Sequence, residues 1–151
     1  MKIERMERVV IFVKDVEKAE EFFSDLLGIS FERTPPKDEI KPREKVYTKH
    51  ADSFFQQSAQ YNKVAISPVG LELIDTIPPV EKEGVRGFLL KVPNLEEAKA
   101  EMEEKGVRLL LSQRMGGIKE AIFHPDDLHG VRLVLVEYDA PTPLDAVRQT
   151  E

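Results

Sequence analysis

The chain has 151 residues, of which 41% are hydrophobic, and it contains no cysteine. A chain of this length can bury one hydrophobic core without disulfide or metal staples, and the missing thiols exclude both disulfides and thiolate-bound zinc. The formal net charge of −6 disfavours nucleic acid as a partner, because binding to phosphates needs a basic face. No apolar run approaches the roughly 18 residues of a membrane span, so we expect a cytoplasmic protein with no membrane partner.

The first elements in chain order are a strand and a capped helix. The run ERVVIFV, from Glu7 to Val13, is rich in β-branched residues and predicts a buried strand. In the next segment the apolar residues change to helical spacing, with Asp15 as a typical N-cap and Gly28 placed to end the helix. The apolar face of this predicted helix consists of Val16, Ala19, Phe22, Phe23, Leu26 and Leu27.

The remainder of the first half is less regular. ISFERT predicts a second strand that ends at Pro35, and residues 35–62 form a long polar insertion in which DSFFQQSAQY predicts a short helix. NKVAISPVGLELIDT then predicts two strands around a turn. An insertion of this length is expected either to cover a cavity as a lid or to stay mobile.

The pattern of strand, capped helix and strand begins again after Pro79. VPNLEEA, starting at Val92, aligns with VKDVEKA, starting at Val13, so the two copies are offset by 79 residues. A chance likeness between two amphipathic helices is the alternative, but the flanking strands match as well. The repeat predicts a single domain over residues 1–151, with a first module at about 5–79, a second at about 84–138 and a tail at 139–151.

These paired modules resemble the vicinal oxygen chelate superfamily, which includes glyoxalase I, bleomycin resistance proteins and extradiol dioxygenases. The likeness rests on VKDVEKAEEFFSDLLG in the first module and FHPDDLHGVRLVLVE at the end of the second. Within the superfamily, methylmalonyl-CoA epimerases are the most similar, through KVAISPVGLELID and the His-Pro pair. The resemblance implies an α+β fold in which two tandem βαβββ modules form a curved mixed sheet that closes into a cup. It implies little about function, because one scaffold carries many chemistries.

In the resembled enzymes, four side chains on the strands of the cup bind a metal ion. Carried over one position at a time, the two histidine positions fall on Arg8 and Gly87, the first-module acid falls on Glu72, and the final glutamate falls on Val134. A divalent ion needs three or four oxygen or nitrogen donors, and only one of the four positions keeps a donor. The resemblance therefore implies a cup without its metal, and no other cofactor is expected.

A second candidate for a metal site is FHPDDLHG, which holds His124 and His129 together with Asp126 and Asp127. The resemblance places this segment at the bend between the last two strands, outside the cup. A turn with side-chain-to-backbone hydrogen bonds is the favoured interpretation, and no metal is expected there. His50 lies in the insertion and is expected to be an exposed loop residue.

In the cup that the resemblance implies, Arg8 and Glu72 are the polar groups, and strand alternation adds apolar neighbours to them. We expect this cavity to fix a small organic ligand. Alternatively, these two side chains simply pair with each other across the vacated metal site. The residues expected to line the cup and contact a ligand are Arg8, Val10, Phe12, Glu72, Leu89, Lys91 and Val134.

Two functions remain open. The first is metal-independent binding of a small organic molecule, as in those members of the superfamily that sequester a ligand without chemistry. The second is an isomerase or lyase in which Glu72 is the general base and Arg8 stabilises the enolate of a carbon acid. The resemblance also implies a homodimer, with Phe54, Phe55 and Tyr61 as candidate apolar contacts.

Overall fold

The computed structural model describes residues 1–150, which form one mixed sheet and four short to medium helices. None of the helices in this range is long and apolar enough to cross a membrane. The strands are β1 (Arg5–Phe12), β2 (Glu32–Arg33), β3 (Arg43–Tyr47), β4 (Tyr61–Ile66), β5 (Leu71–Thr76), β6 (Gly84–Lys91), β7 (Leu109–Met115), β8 (Ile118–Phe123) and β9 (Arg132–Glu137). The helices are α1 (Val16–Leu27), α2 (Ser53–Ser58), α3 (Leu95–Glu104) and α4 (Pro143–Val147).

The nine strands follow the order β2-β4-β5-β1-β6-β9-β8-β7-β3. The first module consists of β1, α1, β2, β4 and β5, and the second consists of β6, α3, β7, β8 and β9. In each module the last strand runs parallel to the first, whereas β1 and β6 run antiparallel and join the modules. The sheet curls into a half-barrel, which confirms the predicted α+β fold with two tandem βαβββ modules.

The register of the pairing between β1 and β6 reproduces the offset of the sequence repeat. Val9 pairs with Phe88, and the residues that bulge out of the ladder on either side are Glu7 and Arg86. Both pairs of residues are 79 positions apart, which is the offset read from the sequence. The two modules therefore meet symmetrically at this ladder.

Helix α1 covers the outer face of the first module. Asp15 caps it by accepting a backbone hydrogen bond, and Gly28 ends it in the left-handed conformation, as the sequence predicts. Val16 and Phe23 pack against the sheet together with Ala19. The remaining apolar residues of the predicted face are exposed, and they are Phe22, Leu26 and Leu27.

The insertion, residues 35–62, lies along the sheet. β3 pairs antiparallel with β7 and so extends the edge of the second module. α2 matches the predicted short helix, with Asp52 as its N-cap. The predicted strand ISFERT is shorter than expected, because only Glu32 and Arg33 pair with β4 before the prolines interrupt the ladder.

The aromatic residues of the insertion point in different directions. The Phe55 ring packs edge-on against Tyr47, and the Tyr61 ring packs edge-on against Phe12. Phe54 is 78% exposed. The rings of Phe55 and Tyr61 therefore pack partly within the chain, and the dimer contact expected of all three residues stays a prediction.

The tail contains α4, which the sequence analysis did not predict. Leu144, Ala146 and Val147 of this helix are buried. The backbone N–H of Gly117 donates to the carbonyl oxygen of Ala146 at 2.7 Å, which fixes the helix against the turn between β7 and β8. A helix of five residues is too short to show a clear apolar period in a sequence.

Gly87 lies where β9 approaches β6 too closely for a side chain, since a Cβ there would be 1.9 Å from the carbonyl oxygen of Arg132. We expect Gly87→Ala to lower the free energy of unfolding by about 3 kcal/mol, because the clashing atoms belong to the backbone. Urea unfolding measures this loss. Gly106→Ala is the control, because its Cβ would meet nothing within 4 Å and only its positive φ costs about 1 kcal/mol. A loss at Gly87 no larger than at Gly106 would contradict the close approach.

Candidate functional site

The inner face of the curled sheet encloses a cavity of about 290 Å³, and this cavity with its lining is the cup. Inward-facing residues of the central strands form its floor. The insertion contributes one side, through Pro35, Pro36, Lys37, Ile40, Arg43 and Lys45. This volume lies at the lower end of the range for small-molecule sites, so the cup accommodates a small organic group.

Six of the seven residues predicted to line the cup do so, namely Arg8, Val10, Phe12, Glu72, Leu89 and Val134. The seventh, Lys91, lies beyond the cavity at the end of β6. Its Nζ is 3.5 Å from a carboxylate oxygen of Glu4 and 4.2 Å from the centre of the Tyr138 ring. Alternation predicts the correct face for Lys91, but these two neighbours hold its side chain away from the cavity.

Arg8 is the central polar residue of the cup and is only 3% exposed. Its Nε donates a hydrogen bond to Oε1 of Glu72 at 3.2 Å, so these two side chains pair. Its Nη2 is 3.6 Å from Oε1 of Glu120, and its Nη1 is 3.6 Å from Oε1 of Glu7. These last distances are too long for hydrogen bonds, and Nη1 is buried without a hydrogen-bond partner in the described chain.

Glu120, on β8, is a second buried carboxylate of the cup, and the sequence analysis missed it. Its Oε2 accepts a hydrogen bond from Nε2 of Gln113 at 2.6 Å. A signal for it was present in IKEAIF, because Ile118, Glu120 and Ile122 alternate on one face of the strand. A charged residue between two inward apolar positions is unusual unless it has a partner. The ligand positions transferred from the resembled enzymes include none on this strand.

Burial and neighbouring charges determine the protonation of these groups. Burial raises the pKa of Glu120, Arg8 opposes this effect, and Glu72 adds to it, so that the pKa of Glu120 lies above its ordinary value. Burial alone would lower the pKa of Arg8, but Glu72, Glu120 and Glu7 together raise it. Arg8 is thus a permanent cation, and Glu120 keeps its proton to a higher pH than a solvated glutamate.

A chain of hydrogen bonds holds Glu7 beside Arg8. The Tyr138 hydroxyl donates to Oε1 of Glu7, and Nη2 of Arg5 donates to the Tyr138 oxygen at 2.9 Å. Nε of Arg5 also donates to Oε2 of Glu7 at 3.0 Å. Burial and the Glu7 carboxylate raise the pKa of Tyr138 to about 12, so its hydroxyl stays neutral and keeps donating.

Arg132 forms part of another wall of the cup. The centre of its guanidinium is 5.6 Å from the centre of the Phe12 ring and 5.2 Å from that of Phe55. Its Nη2 donates to the hydroxyl oxygen of Tyr61 at 3.1 Å. Burial raises the pKa of Tyr61, so this hydroxyl is neutral and does not balance the charge of Arg132.

The histidine-containing bend lies outside the cup, as the resemblance implied. Nδ1 of His124 accepts a hydrogen bond from the backbone N–H of Asp126 at 3.2 Å, within a single 3-10 turn. The Arg108 guanidinium donates two hydrogen bonds of 2.9 Å to Asp127 and lowers the pKa of that carboxyl to about 2. His50 is exposed. Within residues 1–150, no group of three or more metal-ligating side chains is arranged to hold a metal ion.

The residues at the transferred ligand positions do not fit a divalent metal ion. Arg8 places its own positive charge beside Glu72 and Glu120, where the charge of a metal would otherwise be required. Gly87 leaves no room for a ligating side chain, because a Cβ there would clash with the backbone of β9. Val134 offers only methyl groups.

The curled sheet and the inward-facing polar groups define a two-module protein with a cup on its concave face. The family model described as "Glyoxalase/Bleomycin resistance protein/Dioxygenase superfamily" matches residues 7–123. The chain belongs to this superfamily, which confirms the resemblance seen in the sequence. Comparison with curated proteins gives no match.

Several solved structures with this fold are methylmalonyl-CoA epimerases. The Mycobacterium tuberculosis enzyme is 20% identical with a TM-score of 0.67, and the alignment covers 91% of this chain and 90% of that chain. A Streptomyces coelicolor variant in complex with 2-nitronate-propionyl-CoA is 20% identical with a TM-score of 0.65, and the alignment covers 92% of this chain and 100% of that chain. An epimerase in complex with methylmalonyl-CoA and NH4+ is 21% identical with a TM-score of 0.63, and the alignment covers 94% of this chain and 100% of that chain. At these identities the similarity shows the fold.

Glu120→Gln is expected to remove a pH dependence of stability. A carboxyl whose pKa is raised by folding contributes its stability fully below its unfolded pKa, near 4.5, and this contribution is lost as the pH rises through the folded pKa. The wild type should therefore lose free energy of unfolding relative to Glu120→Gln as the pH rises above about 4, until Glu120 has ionised. Urea unfolding at a series of pH values measures the difference.

The control for this experiment is Glu104→Gln, on the exposed face of α3. The difference in free energy of unfolding between Glu104→Gln and the wild type should stay nearly constant with pH, because the Glu104 side chain is exposed and makes contact mainly with solvent. If the difference in free energy of unfolding between Glu120→Gln and the wild type is equally constant with pH, the raised pKa of Glu120 is contradicted.

Proposed function

We propose that this chain binds a small organic molecule in the cup and holds it without a metal ion. The observation that carries the proposal is Nη1 of Arg8, which is buried without a hydrogen-bond partner in the described chain. Leaving a buried donor unsatisfied costs about 1–3 kcal/mol. A ligand oxygen that accepts from Nη1 would recover this free energy, and Arg8 would then hold the ligand at the position where related proteins hold a metal.

The remainder of the lining favours a small acyl group or ketone beside Arg8. Apolar side chains from four strands line the same cavity as Arg8, including Val10, Leu89, Ile122 and Val134. A carbonyl group combines an acceptor for Nη1 with apolar carbons for this surface. Two of the similar epimerase structures hold 2-nitronate-propionyl-CoA and methylmalonyl-CoA, which makes thioesters of small acids a reasonable first class to test.

A second candidate function is an isomerase or lyase for a carbon acid, favoured by the presence of two carboxyl groups beside Arg8. Glu72 comes from the first module and Glu120 from the second. As a base, Glu72 would take a proton from the carbon next to the bound carbonyl, and Arg8 would stabilise the enolate oxygen. Glu120, whose pKa burial raises, would in its protonated form return a proton to that carbon.

Binding of carbonyl compounds should raise the melting temperature of metal-free protein. A ligand that binds only the folded protein raises the free energy of unfolding by about 2.7 kcal/mol when it is present at 100 times its dissociation constant. For a chain of this size that corresponds to a shift of roughly 7 °C. A thermal-shift screen of ketones, carboxylates and thioesters, run in the presence of a chelator, measures this effect. If no compound of these classes shifts the melting temperature, the binding proposal is wrong.

Glu72→Gln and Glu120→Gln separate binding from catalysis. In a binding protein both variants should keep most of the affinity for a hit from the screen. In an enzyme they should still bind the hit but lose about 100-fold or more in turnover, because each removes a proton-transfer group. Exchange of the ligand's α-proton in D₂O, followed by NMR, measures turnover, with Glu104→Gln as the control. Absence of exchange in the wild type with every hit would rule out the enzyme.

We further propose that the chain forms a homodimer. The support is the outer face of α1, where Phe22 is 61%, Leu26 62% and Leu27 51% exposed, since a contiguous apolar surface favours a protein contact. Light scattering at micromolar concentration should give twice the chain mass of 17.2 kDa, and Leu26→Ser should shift it toward the monomer. A monomeric wild type would contradict the proposal.

A further inference from the structure

The lining of the cup has a charge opposite to that of the whole chain. Eight arginines and lysines but only two glutamates line the cavity, so its formal charge is +6 in a chain whose formal net charge is −6. A cavity that concentrates positive charge against apolar walls attracts anions from solution. The distribution of these cations within the cup shows where an anion would be held.

Three of the cations come from the insertion, and together they form the insertion cluster, which consists of Lys37, Arg43 and Lys45. Arg43 and Lys45 lie two residues apart on β3, so both side chains point to the same face of the strand. Lys37 follows the two prolines that line the cavity. Pairing of β3 with β7 and burial of Ile40 hold this segment against the cup.

The insertion cluster has no acidic partner at ion-pair distance within residues 1–150. The charge of Glu120 acts on Lys45 only from further away, and the only hydrogen bond that Lys45 Nζ gives in this range is to the carbonyl oxygen of Ala59 at 3.3 Å. By contrast, Arg33 and Lys63, which also line the cavity, are paired with Glu20 and Glu17.

The members of the cluster repel one another. Burial lowers the pKa of Lys45, and the nearby charges of Arg43, Lys37 and Arg132 lower it further, against a smaller opposing effect of Glu120. Burial and the charge of Arg43 likewise lower the pKa of Lys37. Unpaired cations held this close destabilise the fold, and a bound anion would relieve the repulsion.

Arg8 is not available for that anion. Three carboxylates already lie within 4 Å of its guanidinium, so a further negative charge there would be repelled. The buried floor of the cup can therefore accept a neutral oxygen, whereas the insertion cluster can accept a full negative charge. The two sets of residues select different parts of a ligand.

We infer that the insertion cluster is a binding subsite for an acidic group, a carboxylate or a phosphate, and that the ligand of the cup is an organic anion. This inference rests on the proposed function, because it takes the neutral part of the same ligand to occupy the floor of the cup. It gives the insertion a specific role, which is to supply the charge that selects the ligand.

The test is a thermal-shift titration with inorganic phosphate and, separately, with acetate, at constant ionic strength set with sodium chloride. At least one of the anions should give a saturable rise in the melting temperature, of roughly 4 °C at ten times its dissociation constant. The anion that acts at the lower concentration identifies the acidic group. The variant Lys37→Gln/Arg43→Gln/Lys45→Gln should lose the rise and, without anion, should melt at or above the wild-type temperature because the repulsion is gone.

Lys2→Gln/Lys18→Gln/Lys49→Gln is the matched control, because it removes three exposed lysines that do not line the cup. It should respond to the anion as the wild type does. No rise in the wild type, or an equal rise in the insertion-cluster variant, would overturn the inference.

A neutral ketone, cyclohexanone, separates this inference from the proposed function. If cyclohexanone stabilises both the wild type and the insertion-cluster variant but neither anion stabilises the wild type, the inference is wrong and the proposed function stands. If an anion stabilises the wild type through the cluster but neither cyclohexanone nor any other carbonyl compound does, the subsite stands and the proposed binding at Arg8 is wrong.

Discussion

A permanent cation buried on the concave face of the sheet determines the polar structure around it. Arg8 is 3% exposed, and a charge at that depth costs several kcal/mol unless it is paired. Its compensating carboxylates are Glu7, Glu72 and Glu120, which lie on β1, β5 and β8. Because these strands belong to both modules, the charge balance exists only when β1 and β6 join the modules. The cup and the fold therefore depend on each other.

The parts of the structure that could be predicted are those that depend on local pattern or on the repeat. The capped helix after Asp15 follows from spacing and capping chemistry, and the offset of 79 residues located the second module. Alternation along single strands, counted from the cup positions that the resemblance gives to Arg8 and Gly87, places Val10 and Leu89 in the cup. These predictions needed no knowledge of which strands are neighbours.

The parts that were missed depend on contacts between distant segments. Val46 of β3 pairs with Ser112 of β7, and nothing local in the insertion indicates that partner. The role of Glu120 beside Arg8 likewise requires the curl of the sheet, because two strands, β6 and β9, separate β8 from β1 in the sheet order. Lys91 was predicted on the correct face but its position along the strand places it beside Tyr138. Periodicity gives the face of a residue, whereas pairing and curvature decide what that residue meets.

We propose that Arg8 takes the place of a metal in holding an organic ligand. Native mass spectrometry of protein purified without added metabolites or metals, before and after dialysis against a chelator, tests it most directly. We expect a bound organic anion, or an empty protein that takes one up, and in either case a mass that the chelator does not change. A stoichiometric divalent metal, lost to the chelator together with the ligand, would contradict it.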